Sequence, residues 1–153
     1  MINIMVFSDE KAWSKKINRK KYFFEKICKS FPKKYKFLNK KVSLSLLLSN
    51  DKNIKKLNMY FRNKNKPTDV LAFPFNKKLV IKKNIYLGDI VISYDFLNKN
   101  KSKDPSSFKE RLIKIFIHGF LHLLNFDHKK NRDYKRMFKE EELIFRTIVS
   151  KII

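Results

Sequence analysis

Ile117-His118-Gly119-Phe120-Leu121-His122-Leu123-Leu124-Asn125-Phe126-Asp127-His128 contains all three histidines of a 153-residue chain. The segment from Phe108 to Leu124 is apolar on nearly every side, with Leu112, Ile113, Phe116, Ile117, Phe120 and Leu121 among its residues. A helix of that character belongs in a core. Residues i and i+4 share one face of a helix, with Cβ atoms about 5 to 6 Å apart, so His118 and His122 converge on one point. Two imidazoles in such surroundings need polar partners, because unpaired burial costs about 1 to 3 kcal/mol each. A single metal ion, at bonds of about 2.0 to 2.1 Å, serves both at once. If the helix continued to His128, that residue would lie about 80° off the shared face at 100° per residue. The chain must therefore turn to bring His128 back. Asn125 is placed for that turn, since Asn is the usual substitute for Gly where a helix ends in left-handed conformation. Asp127 then either accepts a hydrogen bond from a ligand imidazole or caps the next helix.

Gly119 adds a constraint. A glycine inside a helix costs about 1 kcal/mol relative to alanine, and the chain uses only two, Gly88 and Gly119. Its position beside His118 predicts a need for space, which we assign to the region above the metal. The spacing H-x3-H-x5-H also occurs in metzincin proteases, where a Glu directly after the first His is the general base. Gly119 stands in that place, so peptidase chemistry loses its usual base.

Working outward, Ile2, Ile4 and Val6 alternate with Asn3 and Met5 as in a strand, and Glu10 to Phe31 reads as one basic amphipathic helix ended by Pro32. Val42, Leu44, Leu46 and Leu48 alternate with serines in a second strand. Ile54, Leu57, Asn58 and Phe61 recur at helical intervals up to Arg62. Asp69 to Phe73 is a strand stopped by Pro74, and Leu79 to Ile81 and Ile85 to Ser93 are two more. Asp69 and Asp89 serve as turn or strand-end acceptors rather than in catalysis. Ser107 and Glu110 have capping-box spacing at the start of the histidine helix. A last helix runs from about Asp133 to Ile152, with Tyr134, Met137, Phe138, Leu143, Ile144 and Ile148 as its inner face. Strands and helices interleave without a regular βαβ period. One α+β domain over residues 1–153 is expected, a small mixed β-sheet packed with helices and with the metal-binding helix in the core.

The composition narrows the setting. With 43% hydrophobic residues the chain can bury one sizeable core. The lone Cys28 excludes an internal disulfide framework and fits a reducing, cytoplasmic location. No signal peptide is legible, and the longest strongly apolar stretch, Ile115 to Leu124, is half a membrane span. A soluble protein with no membrane partner is expected. The formal net charge is +23, yet of 37 basic residues only Arg19, Arg62, Arg111, Arg132, Arg136 and Arg146 are arginines, leaving 31 lysines. Codon drift in an A+T-rich genome accounts for such a lysine excess. A surface of this sign nonetheless attracts polyanions, nucleic acid foremost.

With these residues in hand the sequence resembles the YbeY family, bacterial metal-dependent endoribonucleases associated with ribosomal RNA maturation. His118 to His128 matches the family pattern H-G-x-L-H-L-x-G-[YF]-D-H except for Asn125 in place of Gly. Leu57 to Pro74 resembles its L-N-x-x-[YF]-R-x-K-D-x-P-T-D-V-L-S-F-P signature, with Asn65 replacing Asp and Ala72 replacing Ser. Leu87 to Ser93 matches L-G-D-I-x-I-S. The resemblance implies that His118, His122 and His128 bind one metal, usually zinc, and that Arg62 is a second functional residue. It implies a zincin-like arrangement with the metal helix packed beneath the sheet.

The function expected is hydrolysis of single-stranded RNA, in 16S ribosomal RNA 3′-end maturation and ribosome quality control on the small ribosomal subunit. Catalysis falls to His118 and Arg62, with one Zn2+ or another divalent ion per chain. Arg62, Lys64 and Lys66 would contact the RNA backbone, since a planar guanidinium suits phosphate. A small metalloprotease, and a non-catalytic ribosome-assembly factor stapled by its metal, are the rival readings.

Overall fold

A computed structural model describes residues 1–99 and 105–152, with the side chains of residues 105–107 outside the description. Its elements in order are β1 (Ile2–Ser8), α1 (Lys20–Lys29), β2 (Lys41–Ser49), α2 (Asp51–Arg62), β3 (Val70–Pro74), β4 (Asn84–Ser93), α3 (Tyr94–Asn98), α4 (Pro105–Leu123) and α5 (Asn131–Ile152). The four strands form one sheet in the order β1-β2-β4-β3. β1 and β2 are parallel, β2 and β4 are parallel, and β3 runs antiparallel to β4 at the edge. This is the α+β class with a mixed sheet that the sequence predicts.

The alternation in β2 decides which way the sheet faces. Val42, Leu44, Leu46 and Leu48 are buried in the main core together with Ile4, Ile90 and Ile92. Helix α4 lies against β3 and β4 on this side, α1 against β1, and α5 against α4. Phe116 and Phe120 fill the junction, meeting Phe24 and Phe31 at ring-centroid distances of 5.1 and 4.8 Å. Gly119 is pressed onto the sheet. A Cβ there would lie 3.1 Å from Ile90 Cγ2 and 3.3 Å from Val70 Cγ2. The space this glycine saves is therefore used for close packing of helix on strand, not for room above the histidines.

Three local expectations change. The segment read as one helix from Glu10 to Phe31 is a short 3-10 turn at Lys11–Lys15 followed by α1. The break lets Trp13 enter the core separately, its Nε1 donating to the Ser49 carbonyl at 2.9 Å and its ring edge-on to Tyr94. Leu79 to Ile81 forms no strand, because Asn125 claims this loop: Leu79 N donates to Asn125 Oδ1 at 2.6 Å, and Asn125 Nδ2 donates to the Asn76 carbonyl at 3.2 Å. Helix α5 buries Met137, Ile144 and Ile148, while Tyr134, Phe138 and Leu143 remain exposed, because α4 covers only one narrow stripe of it. Helix α4 is already helical at Pro105, and the Ser107–Glu110 capping box involves a side chain outside the described residues. Among the described residues no helix is long and apolar enough to cross a membrane.

Candidate metal centre

His118 and His122 project from the last two turns of α4, one turn apart. Asn125 then takes the left-handed conformation, φ 67°, that its position predicts. The turn closes as Asn125 N donates to the His122 carbonyl at 2.9 Å and Phe126 N to the Leu121 carbonyl at 3.0 Å, which satisfies carbonyls that the helix end would leave orphaned. His128 is thereby folded back. The three imidazoles lie with centroids 4.6 Å (118 to 122), 5.0 Å (122 to 128) and 5.4 Å (118 to 128) apart. One nitrogen from each ring falls within 4.8 Å of the others.

The outer nitrogens identify the tautomers. His122 Nδ1 lies 3.0 Å from the Phe126 carbonyl, which can only accept, so Nδ1 carries the proton. His118 Nδ1 lies 3.0 Å from Glu141 Oε1 and donates to that carboxylate. With both protons on Nδ1, the two Nε2 atoms are bare acceptors facing each other at 3.1 Å. Two lone pairs at that distance repel unless a cation lies between them. Two Zn–N bonds of about 2.0 to 2.1 Å at a tetrahedral angle would separate the nitrogens by about 3.3 Å, so the donor set fits a metal. Burial pushes the His122 imidazole down to about 4, aided by the positive charge that His118 and His128 carry when protonated and by Arg62, and opposed by the Phe126 carbonyl. His122 is thus neutral at ordinary pH, the form in which an imidazole can take a metal.

Glu141 is the residue that sequence reasoning missed. It reaches the cluster from α5, 23 positions beyond His118, and holds the ring through its far nitrogen as acceptors behind metal-binding histidines do. Asp127 takes neither of its two anticipated roles, since it bonds no imidazole and its partners precede the first residue of α5, Asn131. Its Oδ1 accepts from His128 N at 2.6 Å and Lys129 N at 3.2 Å, so it fixes the backbone that carries His128 rather than an imidazole.

Arg62 ends α2, where Asn63 stops the helix in left-handed conformation, φ 59°. Its Nη2 donates to the Ala72 carbonyl of edge strand β3 at 3.4 Å, and its charge reaches His122. Arg62 is thus anchored on the edge strand against which α4 packs. The following loop is tied down through its backbone, as Lys64 N donates to the Asn58 carbonyl at 3.3 Å and Asn58 Nδ2 to the Lys66 carbonyl at 2.9 Å. The Lys64 and Lys66 side chains are exposed. Asp69 Oδ1 accepts from Val70 N at 2.7 Å at the start of β3, and Asp89 accepts from the Tyr86 hydroxyl. Asp69 has the strand-end role expected of it, whereas Asp89 lies in the middle of β4 rather than at its start.

A family model described as Endoribonuclease YbeY matches residues 7–149. The chain is 62% identical over 152 residues to the Endoribonuclease YbeY of Pelagibacter ubique, covering 99% of each. It is 38% identical over 134 residues to that of Ehrlichia canis, covering 87% of this chain and 83% of the relative. The solution structure of a Thermotoga maritima protein matches with a TM-score of 0.59 at 25% identity, covering 97% of this chain and 91% of the other. The three segments that carry the sequence resemblance meet in space, β3 and β4 beneath α4 and Arg62 on the edge of β3. By this match along nearly its whole length, the chain belongs to the YbeY family.

Proposed function

We propose that residues 1–153 form one metal-dependent endoribonuclease domain that cleaves single-stranded RNA during ribosomal RNA processing. The substrate assigned is ribosomal RNA of the small subunit, in 16S 3′-end maturation and ribosome quality control in the cytoplasm. The observation that carries this reading is the convergence of three imidazole nitrogens, with an exposed Arg62 anchored on the edge strand packed against their helix, in a chain whose relatives are named endoribonucleases.

His118, His122 and His128 would hold one ion, with zinc suited to an all-nitrogen, three-ligand site. When bound, such an ion supplies Lewis acidity toward a phosphoryl oxygen and lowers the pKa of water to about 7. The protein's own part is preorganisation. Glu141 and the Phe126 carbonyl fix which nitrogen of His118 and His122 faces inward. Asp127 holds the turn that delivers His128. Arg62 clamps phosphate oxygens and stabilises the charge they develop, and Lys64 and Lys66 steer the backbone. The peptidase reading lacks a base here, since Gly119 follows His118 and Glu141 is engaged on the outer nitrogen.

The test is metal content and cleavage of a single-stranded ribosomal RNA fragment by wild type, Arg62→Ala and His118→Ala. Wild type should carry one ion and cleave. Arg62→Ala should keep the ion and lose about 10²- to 10³-fold in rate, the usual cost of one electrostatic stabiliser. His118→Ala should lose both. Cleavage that survives both substitutions refutes the site, and a metal-loaded wild type that never cleaves favours the assembly-factor reading.

A further inference from the structure

The sheet has a second face, and it is half bare. Side chains alternate along each strand, so residues turned away from α4 and α1 form rows on the other side. The registers place Met5, Ser45, Asp89 and Phe73 in one row across all four strands, and Phe7, Leu47, Val91 and Leu71 in the next. Helix α2 covers only part of this face, burying Leu71 and Val91 beneath Ile54. The remainder is a groove of about 630 Å³ lined by Phe7, Leu47, Leu57, Phe61, Phe73 and Val91, and also by Asp89, whose carboxylate accepts from the Tyr86 hydroxyl. Phe7 and Phe61 are 57% and 58% exposed, and Phe75, at 70%, lies 5.5 Å from the Tyr86 ring. A contiguous apolar patch of this kind marks a binding surface.

Charge and connectivity select the occupant. Lys41 lines the hollow at one end of the face, and Lys52, Lys55 and Lys56 line the hollow along α2. Such a frame suits a polyanion with flat apolar groups between its charges. Phe61 rests on Phe73 at 5.0 Å and on Tyr60 at 4.8 Å, and the next residue along α2 is Arg62, bonded to Ala72 beside Phe73. Ala72 faces the helix side and Phe73 the open side of the same edge strand. A strand whose phosphate lies at Arg62 has only to pass over β3 to lay its bases on Phe61 and Phe73.

We propose that this open face is a base-stacking subsite for unpaired nucleotides flanking the scissile phosphate of the RNA substrate. The inference rests on the ribonuclease reading above. Aromatic stacking is tolerant of sequence because every base has a π-face, and exposed aromatics on a four-stranded sheet are a recurrent way to bind single strands.

The test compares metal-loaded wild type, Phe7→Ala, Phe61→Ala, Phe61→Leu and Phe61→Trp, with Tyr22→Ala on α1 as control. Binding of a 2′-O-methyl uridine ten-mer, checked intact after titration, is measured beside a ten-mer of the same backbone lacking bases, and KM and kcat are measured for cleavage of an RNA ten-mer. Each alanine variant should raise Kd for the base-bearing ten-mer and KM by about 5- to 100-fold, with kcat changed less than twofold. Phe61→Trp should restore binding, and the abasic ten-mer should bind all variants alike. Unchanged Kd and KM in folded Phe7→Ala and Phe61→Ala would overturn the subsite and leave the ribonuclease reading intact. The expected loss of ten-mer binding in a protein that cleaves nothing would support the subsite and overturn that reading instead. Full binding by Phe61→Leu, or a concentration-dependent dimer lost in Phe61→Ala, would overturn the subsite in favour of a plain apolar contact with protein.

Discussion

The two faces of the sheet are built to opposite rules. On the helix side the polar groups of the histidine cluster are held in place: the outer nitrogens of His118 and His122 are bound by Glu141 and the Phe126 carbonyl, and the inner ones face each other. On the far side it is apolar groups that lack partners, with Phe7, Phe61 and Phe75 in water. The first arrangement is a rigid chemical centre that needs an ion to be complete. The second is a recognition surface that needs a ligand of some area. Variants of the aromatic face should therefore leave bound metal and kcat nearly unchanged, and variants of the histidine side should leave ten-mer binding nearly unchanged.

The largest separation should come from His122→Ala. It removes a half-buried member of the cluster and leaves two donors that no longer enclose an ion, so bound metal and RNA cleavage should both fall to background. Uridine ten-mer binding should hold within twofold, because His122 is remote from the aromatic face. Metal analysis, a gel assay and a binding titration on one preparation check all three. Glu141→Ala is the next step down. The ligand stays but loses the partner that fixes its ring, which typically costs about 10- to 100-fold in metal affinity. Glu141→Gln keeps an acceptor oxygen and should lose less. Equal affinity in wild type and Glu141→Ala would mean that α4 alone positions the His118 ring.

Removal of the ion should be felt as lost stability. At an ion concentration a hundredfold above Kd, binding adds about 2.7 kcal/mol, so a chelator should lower Tm by roughly 5 to 10 °C for a chain of this size. The same drop should appear in Phe61→Ala, whose substitution lies on the other face. A chelator shift that shrinks in Phe61→Ala would mean the two faces are coupled through β3.

How much of this was legible in the sequence follows from range. The histidine cluster is local: i, i+4 spacing and one left-handed Asn125 bring three ligands together within eleven residues, so periodicity alone assembles it. Arg62 was found through the family signature, since nothing in its own neighbourhood distinguishes it from other cations. Glu141 was not found, because it reaches His118 only after α5 packs on α4. A run Glu140-Glu141-Glu142 in a lysine-rich chain was the available hint. The aromatic face was invisible for the same reason, as its rows combine β1, β2, β4 and β3 in an order set by pairing register. The α5 face was over-read because periodicity shows which residues align, not how wide a stripe the neighbour covers.

Gly119 tests the helix side at its smallest scale, since it carries no functional group. Alanine there would gain about 1 kcal/mol in helix propensity. Against that, its Cβ would meet Ile90 Cγ2 at 3.1 Å and Val70 Cγ2 at 3.3 Å. Ile90 is fully buried in the middle of β4 and, being β-branched, has little freedom at χ1. It cannot yield, and overfilling a packed core costs about 1 to 3 kcal/mol. The balance is a net loss of about 1 kcal/mol, a Tm lower by roughly 2 to 4 °C. The strain acts at the contact that seats His118 over the sheet, so metal affinity should also weaken, by less than in Glu141→Ala. Ten-mer binding should not change. A Gly119→Ala protein with a raised Tm and unaltered metal affinity would show that α4 can lift from β4 freely, and that close packing is not what fixes the histidines over the sheet.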